Sequence, residues 1–204
     1  ETIRRYAPSI LSRQDVQMLL NNLKEEYPAV VEDLVPNVLT IGEIQQVLQN
    51  LLAERIPIRD LITILEALAN HAGTTRDPEL LTEYVRSALS RSITAQYQDS
   101  DSKLHVLTLS PGVEALLAES LRDDANQIVL DPAAAQQILT ELSTQMEHLA
   151  QFGRQPVLLC SSRLRRPLRR LTERALPGLS ILSFSEVAAD ADVQAEGVVE
   201  VLQS

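Results

Sequence analysis

The sequence is poor in the residue types on which many functional sites depend. Its 204 residues include one cysteine, no tryptophan, two phenylalanines and only six glycines. The single cysteine, Cys160, excludes an internal disulfide and a zinc site made of cysteines. The scarcity of aromatic side chains predicts an aliphatic core and leaves few rings on which nucleic-acid bases could stack.

Long hydrophobic runs and signal-peptide patterns are also missing. No uncharged apolar run reaches the length of about 18 residues that is needed to span a bilayer. The sequence starts at Glu1, and the residues that follow lack the apolar stretch of a signal peptide. We therefore expect a piece of a longer protein, with one or two domains.

Motifs of the common enzyme classes are absent as well. The glycines form neither a G-x-G-x-x-G nor a P-loop pattern. His71, His105 and His148 are isolated in the sequence and do not have the spacing of metal ligands. Cys160 ends an apolar run, where a thiol is expected to be buried and unreactive. We expect a protein that is not an enzyme and that uses no cofactor or metal.

Positive charge is scarce and unevenly placed. The formal net charge is −10, and Lys24 and Lys103 are the only lysines among 18 basic residues. Residues 154–174 contain seven arginines and one glutamate, whereas residues 175–204 contain five acidic residues and no basic one. The concentration of arginines in one segment of an acidic chain suggests that this segment has a specific role.

The first hundred residues predict helices, because their apolar residues recur at helical spacing. Thr40 and Glu43 have the spacing of a capping box, and Asp77-Pro78 is a typical helix start. The predicted helices run from Arg13 to Glu26, from Thr40 to Leu52, from Leu61 to near Gly73, and from Pro78 to about Tyr97.

From residue 98 the pattern changes to strands that alternate with helices, which is typical of an α/β fold. The predicted strands are 104–109, 128–130, 156–160, 179–184 and 197–202. The predicted helices are 111–121, 132–153 and 163–175. The fold class expected for the whole chain is α + α/β: an N-terminal all-helical subdomain followed by a small α/β subdomain with a short sheet.

One candidate contact surface is the polar face of the helix that starts at Thr40. Its side chains are mostly uncharged, so they could face either solvent or another subunit without burying charge. The next helix would be the recognition helix of a helix-turn-helix, but its acidic face would repel phosphate. The residues of this surface are Gln45, Gln46, Gln49, Asn50, Glu54 and Arg55.

The second candidate surface is the arginine-rich helix. Leu164, Leu168 and Leu171 follow helical spacing and predict its core face. Three interpretations stay open: a solvated helix, a site for an acidic protein partner, or a nucleic-acid site, the last of which the net charge opposes. The arginines expected on the exposed face are Arg165, Arg166, Arg169 and Arg170.

Long segments of the sequence resemble the FlhA family of flagellar type III secretion export gates. The resemblance is carried by residues 11–36, 43–69 and 77–94, which include the stretches IRDLITILEALA and LTEYVR. It extends through VLTL (106–109), the LDP helix start (130–132), PVLLC (156–160) and LRRPLRRL (164–171). The injectisome gates, which serve virulence secretion, form a related branch.

The resemblance implies a domain organisation and a set of partners. Residues 1–10 would end a preceding cytoplasmic subdomain, 11–98 would form a helical ring-forming subdomain, and 99–204 an α/β subdomain. The full protein would be integral to the bacterial inner membrane through an N-terminal half that is absent here. Its cytoplasmic part would form a ring, with nine subunits in the family.

The same resemblance implies docking rather than catalysis. The partners would be export chaperones with cargo, the stalk protein of the export ATPase and other export-apparatus proteins, with no nucleic acid. Chaperones would bind mainly through subdomains that are absent here. The turn at Arg59 and Asp60 joins the candidate subunit contact, and the arginine helix would face the stalk. The alternatives are an injectisome gate of the same family and a winged-helix-like regulator that binds DNA.

Overall fold

The structure, a computed structural model, describes residues 11–122 and 127–201 and divides into two compact units. The helical unit ends at Ile93 and the α/β unit begins at Thr94, so the division comes before residue 98, where the sequence pattern changes. The predicted end of a preceding subdomain, residues 1–10, lies outside the described residues. The expected fold class, α + α/β, is confirmed.

The helical unit is built from short amphipathic helices with well-formed caps. Ser12 and Asp15 form a capping box at the start of the first helix, and Thr40 and Glu43 form another at the start of the third. The helices are α1 (Arg13–Glu26), α2 (Pro28–Leu34), α3 (Ile41–Ala53), α4 (Leu61–His71), α5 (Pro78–Ala88) and α6 (Ser90–Tyr97), of which α6 continues into the α/β unit.

Two details of the helical unit differ from the prediction. The first helix ends before Pro28, as predicted, but Pro28 also starts an additional short helix, α2, at a position where proline is tolerated because the missing N–H has no helical partner. The helix expected from Pro78 to Tyr97 is interrupted at Leu89, where ψ is 14°. Leu89 is buried at the interruption, and residues 88–90 include neither glycine nor proline.

The α/β unit is a four-stranded parallel sheet with helical connections and a small hairpin. The strands of the sheet have the order β5-β4-β1-β6, and β2 pairs with β3 in the antiparallel hairpin. The elements are β1 (Lys103–Leu109), α7 (Pro111–Glu119), β2 (Leu121–Arg122), β3 (Gln127–Ile128), α8 (Pro132–Gln151), β4 (Val157–Cys160), α9 (Ser162–Thr172), β5 (Ser180–Ser183) and β6 (Asp192–Val199).

The last strand differs most from its prediction. It starts at Asp192 rather than at Gly197. The part of the strand before Gly197 is mostly polar, so the apolar pattern used for the prediction does not include it. Ala195 pairs with Val106 and Gly197 with Leu107, so Glu196 is an extra residue in a bulge. This bulge directs Glu196 towards the face of β1.

The core is aliphatic, as predicted. Across the described residues, the buried hydrophobic side chains are leucine, isoleucine, valine, alanine and Cys160. In the α/β unit many of them form a cluster between a face of the sheet and helices α7, α8 and α9. None of the helices in 11–122 and 127–201 is long and apolar enough to cross a membrane.

Candidate docking surfaces

Helix α9 follows strand β4 directly and packs on the sheet through one side. Leu164 and Leu168 are fully buried, and Pro167, in the interior of the helix, is buried beside them. Because proline lacks an N–H, the helix gives up one backbone hydrogen bond at this position. The remaining sides of α9 carry the arginines.

Arg165 does not lie on the exposed face, so the prediction of its position is wrong. Its side chain is 2% exposed and its Nε lies 3.4 Å from Oε1 of Glu186, whose side chain is 1% exposed. The Glu186 carboxylate also accepts a hydrogen bond from the Ser183 backbone N–H. Arg165 therefore holds the turn after β5 against α9 and is unavailable to a partner.

The exposed arginines form a different stripe from the predicted one. Arg163 and Arg170 are exposed and Arg166 is half-buried between them, at spacings of three and four residues that place them on one side of the helix. Arg174 is exposed just after the helix ends, and Arg169 is half-buried. We call Arg163, Arg166, Arg170 and Arg174 the arginine stripe; Arg163 and Arg174 are additions to the predicted set.

An open cleft adjoins the arginine stripe. It has a volume of about 410 Å³ and lies between α9 and β3, where Arg170 and Gln127 supply polar groups. The apolar part of its lining consists of Ile128, Pro167 and Leu171. A cleft of this kind, lined by both polar and apolar groups and including a guanidinium, suits an amphipathic protein segment that carries carboxylates.

The polar face of α3 proves to be engaged mostly within the helical unit. The side-chain amides of Gln45 and Gln49 both donate to the backbone carbonyl of Leu11, at 2.8 and 3.1 Å. Asn50 donates to the hydroxyl of Thr82 at 3.1 Å. These three amides stabilise the start of α1 and the packing of α5 on α3.

Glu54, the fourth polar residue of this face, pairs with a buried arginine. Its carboxylate lies 3.1 Å from Nη1 of Arg86, whose side chain is 2% exposed. Gln46 is exposed, as are Arg55 and Arg59 in the joint between α3 and α4. Asp60 is exposed too, but its carboxylate caps α4 by accepting from the Thr63 N–H. Of the predicted subunit contacts, Gln46, Arg55 and Arg59 are therefore exposed without a role as a helix cap.

No local sequence pattern predicts the ion network around His105. Its Nδ1 lies 2.6 Å from Glu196 and its Nε2 lies 2.8 Å from Asp99, and Arg154 pairs with Glu196 from the other side. The hydrogen bond to Asp99, with a second to Glu196, raises the pKa of His105. The same contact lowers the pKa of Asp99 to about 2.

The network joins two parts of the α/β unit through the ring of His105. Both ring nitrogens of His105 face carboxylates, so the charged imidazolium, which donates twice, is the form that fits. Two positive and two negative groups then balance, and they join the turn before β1 to the bulge of β6. In 11–122 and 127–201, no group of three or more His, Cys, Asp or Glu residues could hold a metal ion.

Comparison with known proteins gives a consistent assignment. The model of the FHIPEP family matches residues 1–192. The chain is similar to the flagellar biosynthesis protein FlhA of Bacillus subtilis, with 38% identity over 203 residues. That alignment covers 98% of this chain and 30% of the relative, so the chain spans less than a third of the length of the curated relatives it matches.

Solved structures with the same fold come from related secretion proteins. One is a complex of the CdsV and CdsO proteins of Chlamydia pneumoniae, with a TM-score of 0.87 and 27% identity, covering 98% of this chain and 59% of that chain. Another is nonameric SctV-C of EPEC, with a TM-score of 0.86 and 28% identity; the match covers 97% of this chain and 60% of that chain. One relative was thus solved with a second protein and another as a nine-membered assembly.

Proposed function

Because this chain belongs to the FHIPEP family, we propose that it is the cytoplasmic part of a flagellar type III protein-export gate and works by binding rather than catalysis. The full protein would lie at the cytoplasmic face of the bacterial inner membrane, anchored by a part outside this chain. Identity of 38% to a flagellar relative supports the flagellar branch. The fold shared with CdsV and SctV-C keeps an injectisome gate as the alternative.

The arginine stripe is the observation that carries a docking function. Four arginines are concentrated on and just after one helix, in a chain whose net charge is −10. Guanidinium groups bind carboxylates in a paired geometry, so the stripe and its cleft suit an acidic amphipathic partner. We assign this surface to the stalk protein of the export ATPase, and the complex of CdsV with CdsO supports a protein partner for this part of the family.

Ring formation is the second part of the proposal. The nonameric assembly of SctV-C supports it, and the exposed Gln46, Arg55 and Arg59 supply one contact surface on the helical unit. Chaperones with cargo, and other export-apparatus proteins, would bind mainly through parts of the full protein that this chain does not contain. The ring would then present repeated copies of the arginine stripe to the stalk.

The stalk assignment is tested by charge reversal on the stripe. The variant Arg163→Glu, Arg166→Glu and Arg170→Glu leaves the buried Arg165 intact. Each exposed charge contact is worth about 0.5–1 kcal/mol, so binding of the purified stalk protein should weaken at least about tenfold at low salt. Isothermal titration calorimetry measures the change.

A matched control reverses three exposed arginines of the helical unit, Arg13, Arg76 and Arg91, which gives the same net charge. Stalk affinity should be nearly unchanged in this control. Equal weakening in both variants would point to net charge instead of a docking surface. Unchanged affinity in the stripe variant would contradict the stalk assignment.

A further inference from the structure

The helical unit has an exposed apolar patch whose side chains do not belong to the buried core. Leu80 and Tyr84 lie one turn apart on α5 and are 40% and 37% exposed, whereas Leu81 and Val85 on the same helix are fully buried. The ring of Tyr84 stacks on the ring of His71, at the end of α4, with centroids 3.8 Å apart and planes 2° apart. We call His71, Leu80 and Tyr84 the α5 patch.

The stacking makes the α5 patch suitable as a binding surface. A tyrosine held against a neighbouring ring has already lost much of its rotational freedom, so less entropy is lost when a partner binds. Tyrosine is also among the side chains that contribute most to protein interfaces. The outer face of the Tyr84 ring is the kind of surface on which a guanidinium stacks.

A closed ring of identical subunits requires two different surfaces on each subunit. In such a heterologous contact one surface of each copy meets the other surface of its neighbour. The helical unit exposes Arg55 and Arg59 at the joint before α4 and the α5 patch at the end of α4. The 11 residues of α4 separate these two surfaces by about 16 Å along its axis. They therefore lie at opposite ends of the same helix, as a head-to-tail contact needs.

We propose that the α5 patch binds the α3–α4 joint of a second copy of this chain, with Arg55 or Arg59 packed on the ring of Tyr84. The inference rests on the proposed ring formation and supplies its second surface. Ring chemistry favours this occupant: the joint exposes the guanidinium groups of Arg55 and Arg59, and the patch offers an aromatic face on a helix whose N-cap is Asp77. The apolar part of the contact comes from Leu80 and the methylene groups of the arginines.

The first experiment measures self-association of the complete chain by sedimentation velocity over a range of concentrations. Wild type should form oligomers as the concentration rises, and Leu80→Asp and Tyr84→Ala should shift this association to concentrations at least about tenfold higher. Met18→Asp is the matched control, because Met18 is 50% exposed and belongs to α1 rather than to α4 or α5. Circular dichroism melts check that each variant is folded. If Leu80→Asp does not fold, Tyr84→Ala still tests the patch.

The second experiment tests the direction of the contact. Leu80→Cys and Arg59→Cys are placed in separate chains, mixed, and treated with a flexible thiol crosslinker; Cys160 is 1% exposed and does not compete. The mixture should give dimers, each single variant alone should give few, and a chain with both cysteines should give a ladder of higher oligomers. Leu80→Cys combined with Met18→Cys should give no ladder.

The outcomes separate this inference from the proposal on which it rests. If wild type associates and the patch variants associate equally well, the α5 patch is not the contact, although ring formation stands. Dimers from Leu80→Cys alone would mean that the patch binds another patch, which also overturns the inference. If wild type stays monomeric at all concentrations and no crosslink forms, ring formation by this chain is itself wrong.

Discussion

At the scale of single residues, the buried arginines are each paired with a carboxylate. Arg86 and Arg165 are both almost fully buried, and each meets a carboxylate, from Glu54 and Glu186. Removing one partner of such a pair leaves an uncompensated buried charge, which is costly. Both arginines therefore support the fold.

His105 gives a residue-scale prediction for pH dependence. The pKa of His105 is raised in the folded state, so its stabilising contacts are complete below its unfolded value of 6.5 and are lost as the pH rises through the higher folded value. His105→Gln should lower the free energy of unfolding of the α/β unit by about 1–3 kcal/mol at pH 6, because buried hydrogen bonds to charged groups are lost. Urea denaturation measures this difference.

The same comparison at high pH provides the check. Wild type and His105→Gln should approach each other in stability as the pH rises above the folded pKa of His105. A difference that stays constant from pH 6 to pH 9 would show that packing of the ring, rather than its charge, stabilises the unit. Asn70, an exposed residue without these contacts, supplies the control variant Asn70→Gln.

At the scale of elements, α9 combines two roles on different sides of one helix. One side is bound to the sheet by Leu164, Leu168 and the buried Arg165, and the other carries the arginine stripe. Amphipathic spacing predicted the helix and its leucines correctly. It could not predict which arginine is buried, because the carboxylate that neutralises Arg165 belongs to a turn about twenty residues later.

This division of α9 predicts unequal effects of two arginine substitutions on stability. Arg165→Ala should lower the free energy of unfolding of the α/β unit by about 3–5 kcal/mol, since Glu186 would be buried without its partner. Arg170→Ala, at an exposed position, should change it by less than about 0.5 kcal/mol. Urea denaturation followed by circular dichroism distinguishes the two; equal small effects would contradict the structural role of Arg165.

At the scale of the whole molecule, an acidic chain carries its positive charge on limited surfaces. The net charge is −10, and the exposed arginines of α9 lie in a segment that is surrounded in sequence by acidic residues. Phosphate backbones are attracted by extended basic surfaces, which this distribution does not provide. This charge distribution is consistent with docking of a protein, because a protein partner needs only a local match of charge.

The whole-molecule charge therefore predicts no binding to nucleic acid. A gel-shift assay of the chain with random duplex DNA should show no retarded band at a physiological ionic strength of about 0.15 M. Reversal of the stripe arginines should leave this result unchanged. A retarded band that disappears with added salt and with the stripe reversal would instead favour the DNA-binding regulator.

The sequence by itself determined the local structure and the chemical character of this protein. Periodicity, caps and prolines predicted most helices and strands, and the missing aromatics predicted the aliphatic core, because these properties depend on neighbours within a few residues. Only the tertiary structure decided which polar groups meet. His105 contacts Glu196 from 91 positions away, and the side-chain amides of Gln45 and Gln49 donate to the backbone carbonyl of Leu11. Such pairings depend on how distant elements pack, and no local pattern contains that information.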